Sequence, residues 1–108
     1  MEPACLVVTT TVDSREVAEE IARSVVAGRV AACAQVAGPI SSTYRWQGVV
    51  EQATEWYCHM KTTRARQAAL EAEVRRLHPY QLHGIVAFPL LVDAAYLCWI
   101  EDAVRSGR

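Results

Sequence analysis

The chain has 108 residues, eleven basic and twelve acidic, for a net charge of −1 with histidine neutral. That balance excludes a nucleic-acid binder working by general phosphate neutralisation and a polybasic membrane-surface protein. An apolar fraction of 52% against 21% charged residues describes one globular domain over residues 1–108, richer in apolar side chains than a small monomer can hide. The surplus points to oligomerisation. No run approaches the roughly 18–20 apolar residues of a membrane helix. The N-terminus has no basic segment leading into an apolar stretch and a cleavage site, so cytoplasm is the expected compartment. Cys5, Cys33, Cys58 and Cys98 are far apart and form no CxxC pair. They read as free thiols behaving as small hydrophobes, not as a zinc site or a disulfide framework.

Residues 4–12 are dominated by β-branched side chains and read as a buried strand. Asp13 with Glu16 three residues on predicts a capped helix start. Val17, Ile21 and Val25, with Ala18 and Ala22 beside them, form one apolar helical stripe, and Gly28 is expected as a left-handed cap. Residues 30–37 read as a strand, interrupted at Gly38-Pro39 and continued over 41–47. Gly48 marks a hairpin turn. The return strand, 49–62, alternates: Trp56, Cys58 and Met60 on one face, Glu55, Tyr57, His59 and Lys61 on the other. A second helix is expected over 64–77, capped by Thr62 or Thr63, striped by Leu70, Val74 and Leu77, and stopped by Pro79. Residues 85–92 form a last strand, with Pro89 suggesting an edge or a bulge. Asp93 caps a third helix carrying Leu97, Ile100 and Val104.

The order is β-α-β-β-α-β-α. Two right-handed βαβ units place both crossover helices on one face of a four-stranded antiparallel sheet. That is an α+β, ferredoxin-like arrangement with an extra C-terminal helix. Its other sheet face is left open for subunit contact.

Catalytic signatures such as GxGxxG, a Walker loop, HExxH and GxSxG are absent, and no nucleophile–base pair stands out, so the chain is not expected to be an enzyme. Lys61, the one lysine, precedes Thr62 and the start of the second helix, a place where helix amides meet anions; the plainer reading is a lysine that merely survives where arginine is the usual basic residue. His78 follows the second helix, either as a cation at its C-terminus or as a metal ligand, with His83 five residues on. Tyr44 and Trp46, two apart on a strand, share one face as an interface anchor or as the wall of a ligand cleft. His59 reads as a surface or interface histidine.

Several segments together resemble the CutA family of divalent-cation tolerance proteins. They are Arg29-Val30-Ala31-Ala32-Cys33-Ala34, Ser42-Thr43-Tyr44-Arg45-Trp46-Gln47-Gly48, Lys61-Thr62-Thr63, His78-Pro79-Tyr80 and Tyr96-Leu97-Cys98-Trp99-Ile100. The blocks keep the family's order over nearly the whole chain. Where the family continues its His-Pro-Tyr motif through Pro-Glu, His83 and Gly84 stand here. The resemblance implies a compact homotrimer, similar in shape to PII signalling proteins, whose hairpins extend neighbouring sheets. It implies a role in the response to divalent cations, with copper or zinc the ions suited to imidazole and thiolate. His78 is the expected ligand, with His83 and Cys33 as further candidates. The alternatives are a PII-like sensor, with a small anion held in an inter-subunit cleft by Tyr44, Trp46, Lys61, Thr62, Tyr80 and Trp99, and a purely structural trimeric module.

Overall fold

The computed structural model describes residues 4–105. Four strands, β1 (Cys5–Val12), β2 (Cys33–Trp46), β3 (Val49–Thr63) and β4 (Val86–Leu90), alternate with helices α1 (Arg15–Ala27), α2 (Gln67–Leu77) and α3 (Ala94–Ala103). The sheet order is β2-β3-β1-β4, and all three pairings are antiparallel. This is the expected ferredoxin-like βαββαβ sheet with its extra C-terminal helix. Pro89 lies on β4, an edge strand, where its missing N–H leaves no ladder bond unmade.

The helical stripes make the core. Ala18, Ile21 and Val25 of α1 and Leu70 and Val74 of α2 pack on Val8 and Val12 of β1 and on Cys58 and Met60 of β3. Each fully buried aliphatic side chain contributes about 1.5–3 kcal/mol. Trp56 packs against this core as its alternation requires. A smaller cluster joins Cys5 and Ala32 to Ile100 and Val104, with Leu90, Tyr96 and Leu97 around it. Through it α3 covers one end of the opposite sheet face.

Several local expectations are corrected. The α1 cap is Ser14, not Asp13: Ser14 Oγ accepts from Val17 N at 3.2 Å. Gly28 is not left-handed; Arg29 is, at φ 59°. Arg29 N donates to Val26 O and Val30 N to Val25 O, the paired bonds of a Schellman motif, and Val30 folds back onto Val25 in the core. The apolar return of Val30 therefore fixes the cap position, one residue beyond the glycine. Gly38-Pro39, joined by a cis peptide, does not interrupt β2; the register shifts between Ala37 and Ile40 within one continuous strand. The second helix opens as a 3₁₀ turn (Arg64–Arg66) before α2, with no side-chain cap from Thr63. Thr62 Oγ1 donates instead to Val30 O at 2.7 Å, fully buried. Residues 85 and 91–92 lie outside β4.

The hairpin runs past the sheet body. β1 pairs with β3 only from Trp56 to Thr63, while β2 follows β3 out to Trp46 opposite Val49. Residues 40–55 therefore form a two-stranded arm. Gln47 and Gly48 both have positive φ, as a two-residue type I′ turn demands.

Candidate functional site

The chemistry-bearing residues fall into three places along β3. The first is the root of the arm. Glu55 sits one residue beyond the last β3 residue paired with β1, and the segment after α2 wraps against it. Tyr80 Oη donates to Glu55 Oε2 at 2.6 Å, and Glu55 is only 7% exposed. Burial, then the bond to the Glu55 carboxyl, pushes the Tyr80 phenol well above its ordinary range. His78 Nε2 donates to Thr11 O at 2.9 Å, and its Nδ1 accepts from Tyr80 N at 3.2 Å. Both ring nitrogens are thus committed to the backbone, and the pattern specifies the neutral Nε2–H tautomer. Burial pulls the His78 imidazole below the usual histidine range; the Thr11 bond opposes this and His83 reinforces it. His83 lies edge-on to His78, ring centroids 5.3 Å apart, and has no hydrogen-bond partner among the described residues.

The second place is the covered end of the open face. Tyr96 of α3 stacks on Trp99 at 5.5 Å, its hydroxyl lies 3.8 Å from Cys33 Sγ, and Lys61 Nζ stands 5.8 Å from the centre of its ring. Cys33 is opposite Lys61 in the β2–β3 ladder, so both project from the face away from α1 and α2. The third place is the rest of that face. Val7 and Thr9 of β1, Tyr57 and His59 of β3, and Val86 and Phe88 of β4 line a shallow groove of about 470 Å³. Thr9 Oγ1 and His59 Nδ1 are hydrogen-bonded at 2.8 Å, and Tyr57 stacks on His59.

This geometry separates residues that the sequence groups together. The expected metal set of His78, His83 and Cys33 does not converge. His78 bonds Thr11, which faces Tyr57, whereas Cys33 faces Lys61, four residues along and about 13 Å away at strand rise. Among the described residues no group of three or more His, Cys, Asp or Glu side chains could hold a metal ion. One chain's residues therefore do not fit a closed metal site, and His78 has no free nitrogen to offer one. Within one chain the residues of the expected inter-subunit cleft, Tyr44, Trp46, Lys61, Thr62, Tyr80 and Trp99, also lie apart. Tyr44 and Trp46 are exposed on the arm, Tyr80 is at its root, Lys61 lies against Tyr96 of α3, and Trp99 is half exposed on α3 itself. Thr62 is in the core on the opposite face from Lys61, because adjacent strand residues point to opposite sides. Within one chain, Lys61 and Thr62 therefore do not point to a common anion. Glu55 and Tyr96 are the residues the sequence did not single out. The contacts that matter at Glu55 come from 25 residues away.

The model of the CutA1 divalent ion tolerance protein family matches residues 6–103. The chain belongs to that family. The divalent-cation tolerance protein CutA of Thermus thermophilus is 40% identical over 97 residues, covering 89% of this chain and 94% of that one. Protein CutA of Mus musculus is 36% identical over 97 residues, and the chain spans about half of it, 55%. Among solved structures, the divalent cation tolerance protein of Thermus thermophilus superposes with a TM-score of 0.90 at 38% identity, over 94% of this chain and 99% of that one. A CutA from Archaeoglobus fulgidus, described as a periplasmic divalent cation tolerance protein, gives 0.89 at 32% identity over the same shares. The sequence resemblance to the CutA family is thus borne out over most of the chain, and with it the link to divalent-cation tolerance. No helix among the described residues is long and apolar enough to cross a membrane.

Proposed function

We propose that the chain works as a homotrimeric, non-enzymatic protein of divalent-cation tolerance. The family match over residues 6–103 carries this reading. The trimer is supported by what a single chain leaves uncovered. Val86 and Phe88 are half exposed on the open face, as are Val49 and Val50 on the arm. Among the described residues the arm's β3 edge has no partner beyond Trp56, and the outer edges of β2 and β4 are free. A second copy of the same chain offers the matching free edge and apolar face. His78 is not free to act as a base, because both its nitrogens are bonded to backbone, and this supports a non-enzymatic role. Four unpaired thiols fit a reducing compartment, and cytoplasm is the proposed location.

In this reading copper or zinc is a passing solute met weakly at His83, the one imidazole of the pair with an unbonded nitrogen. Calorimetric titration of each ion into the wild-type chain, His83→Ala and His78→Ala tests that contact. A heat lost only in His83→Ala supports it, and identical isotherms overturn it. The tolerance role is tested by growth under graded copper and zinc in a sensitised host, with and without the chain. Coincident growth curves refute it.

A further inference from the structure

His59 is the feature of the open face that self-association does not by itself explain. It sits in the middle of an apolar surface, with Val7, Val86 and Phe88 lining the same groove. The ladders identify what faces it. β1 presents Thr9, flanked by Val7 and Thr11; β2 presents Gln35; β4 presents Val86 and Phe88 across β1. On β3 itself the neighbours on that face are Tyr57 and Lys61. From α3, Tyr96 reaches Lys61, and Glu101 acts on Cys5. No acid stands opposite His59 on any paired strand, and the charged side chain two residues along is a cation.

We infer that His59 makes this self-association surface pH-sensitive: the face closes on its neighbours with the imidazole neutral and opens when the imidazole is protonated. The inference rests on the trimeric reading above. In a single chain the ring is reached by water, and a proton on it is tolerated. Covering the face removes that water, and the strands paired beside His59 offer no carboxylate in exchange, so a protonated ring must shed its proton or keep the face apart. The bond to Thr9 does not decide the matter. The hydroxyl both donates and accepts, so it serves the neutral and the protonated ring alike. Protonation therefore acts on assembly and leaves the single-chain fold intact. Imidazole changes charge between pH 5 and 8. Exclusion of the protonated form is expected to weaken association as pH falls across that range, once for each copy in the assembly.

The test is sedimentation velocity of the full chain and of His59→Gln, over a dilution series at pH 7.5 and at pH 5.5. Glutamine keeps a hydrogen-bonding side chain and cannot titrate. The expected result is a three-chain mass at pH 7.5 that dissociates at pH 5.5 in the wild type and persists in His59→Gln. Equal association at both pH values overturns the role of His59 and leaves the trimer standing. Equal dissociation of both proteins at pH 5.5, or loss of far-ultraviolet circular dichroism there, also overturns it. A single-chain mass at pH 7.5 overturns the trimeric reading itself.

Discussion

Replacing Tyr80 by phenylalanine removes one oxygen and leaves the ring in place. The oxygen donates at 2.6 Å to a carboxyl group that is 7% exposed, so Tyr80→Phe strands Glu55 in a nearly dry site. A hydrogen bond to a charged group is worth about 1.5–3 kcal/mol. Taking about 2 kcal/mol, and an unfolding entropy of about 2.1 cal/mol/K per residue, the midpoint of thermal unfolding falls by about 9 °C for a chain of this length. Urea denaturation of wild type, Tyr80→Phe, Glu55→Gln and the double variant gives the cycle. The double variant should cost little more than the worse single variant, because both single changes break the same bond. A loss below about 0.5 kcal/mol in Tyr80→Phe, or full additivity, would refute the assignment of the arm's root to this bond.

Three further outcomes are expected. Gly38→Ala is destabilising by about 1–3 kcal/mol in urea denaturation, because a Cβ there meets Trp56 Cδ1 at 2.6 Å with φ at +155°; wild-type stability would contradict that contact. Thr62→Val preserves shape but deletes the donor to Val30 O, costing about 1–2 kcal/mol by the same measurement. His78 has its folded pKa depressed, so the stability it contributes is present above the ordinary histidine value near 6.5 and is lost as pH falls from there through the folded value. The denaturation midpoint of the wild type should drop over that window at any protein concentration, and more steeply than that of His78→Gln. Parallel pH profiles would remove His78 from the account.

The fold was legible where one pattern ran long enough to have a single solution. The α1 stripe of Val17, Ile21 and Val25 and the alternation from Trp56 to Met60 both put their residues where the core is. The pattern is ambiguous where neighbouring residues compete for one job. Asp13 and Ser14 both suit a helix start, and the bond to Val17 N selects Ser14. Gly28 and Arg29 competed for the left-handed position, and the return of Val30 to the core decided it. The candidate site was less legible for a different reason. Lys61 and Thr62 are adjacent in sequence and lie on opposite faces of the sheet. His78 offers the right chemistry for a ligand, but its bonds to Thr11 and Tyr80 come from how the segment after α2 crosses the end of β1. Glu55 looked like one more residue of a polar face, and only that crossing buries it.

The pairing of the arm also sets an order of events in folding. β2 and β3 meet across two residues, whereas β1 meets β3 from Val12 to Trp56, and meets β4 from Thr9 to Val86. Closing longer loops costs more entropy before any contact is gained. The middle of the chain is expected to order first, and β1 to stay unpaired until residues 56–63 have formed their half of the ladder. Pulsed hydrogen exchange should show protection over 33–63 before 5–12 and 86–90; the reverse sequence would contradict it. β1, which precedes the other strands in this domain, is thus the strand that waits longest for a partner. Its hydrophobic stretch is the segment most open to wrong pairing while it waits.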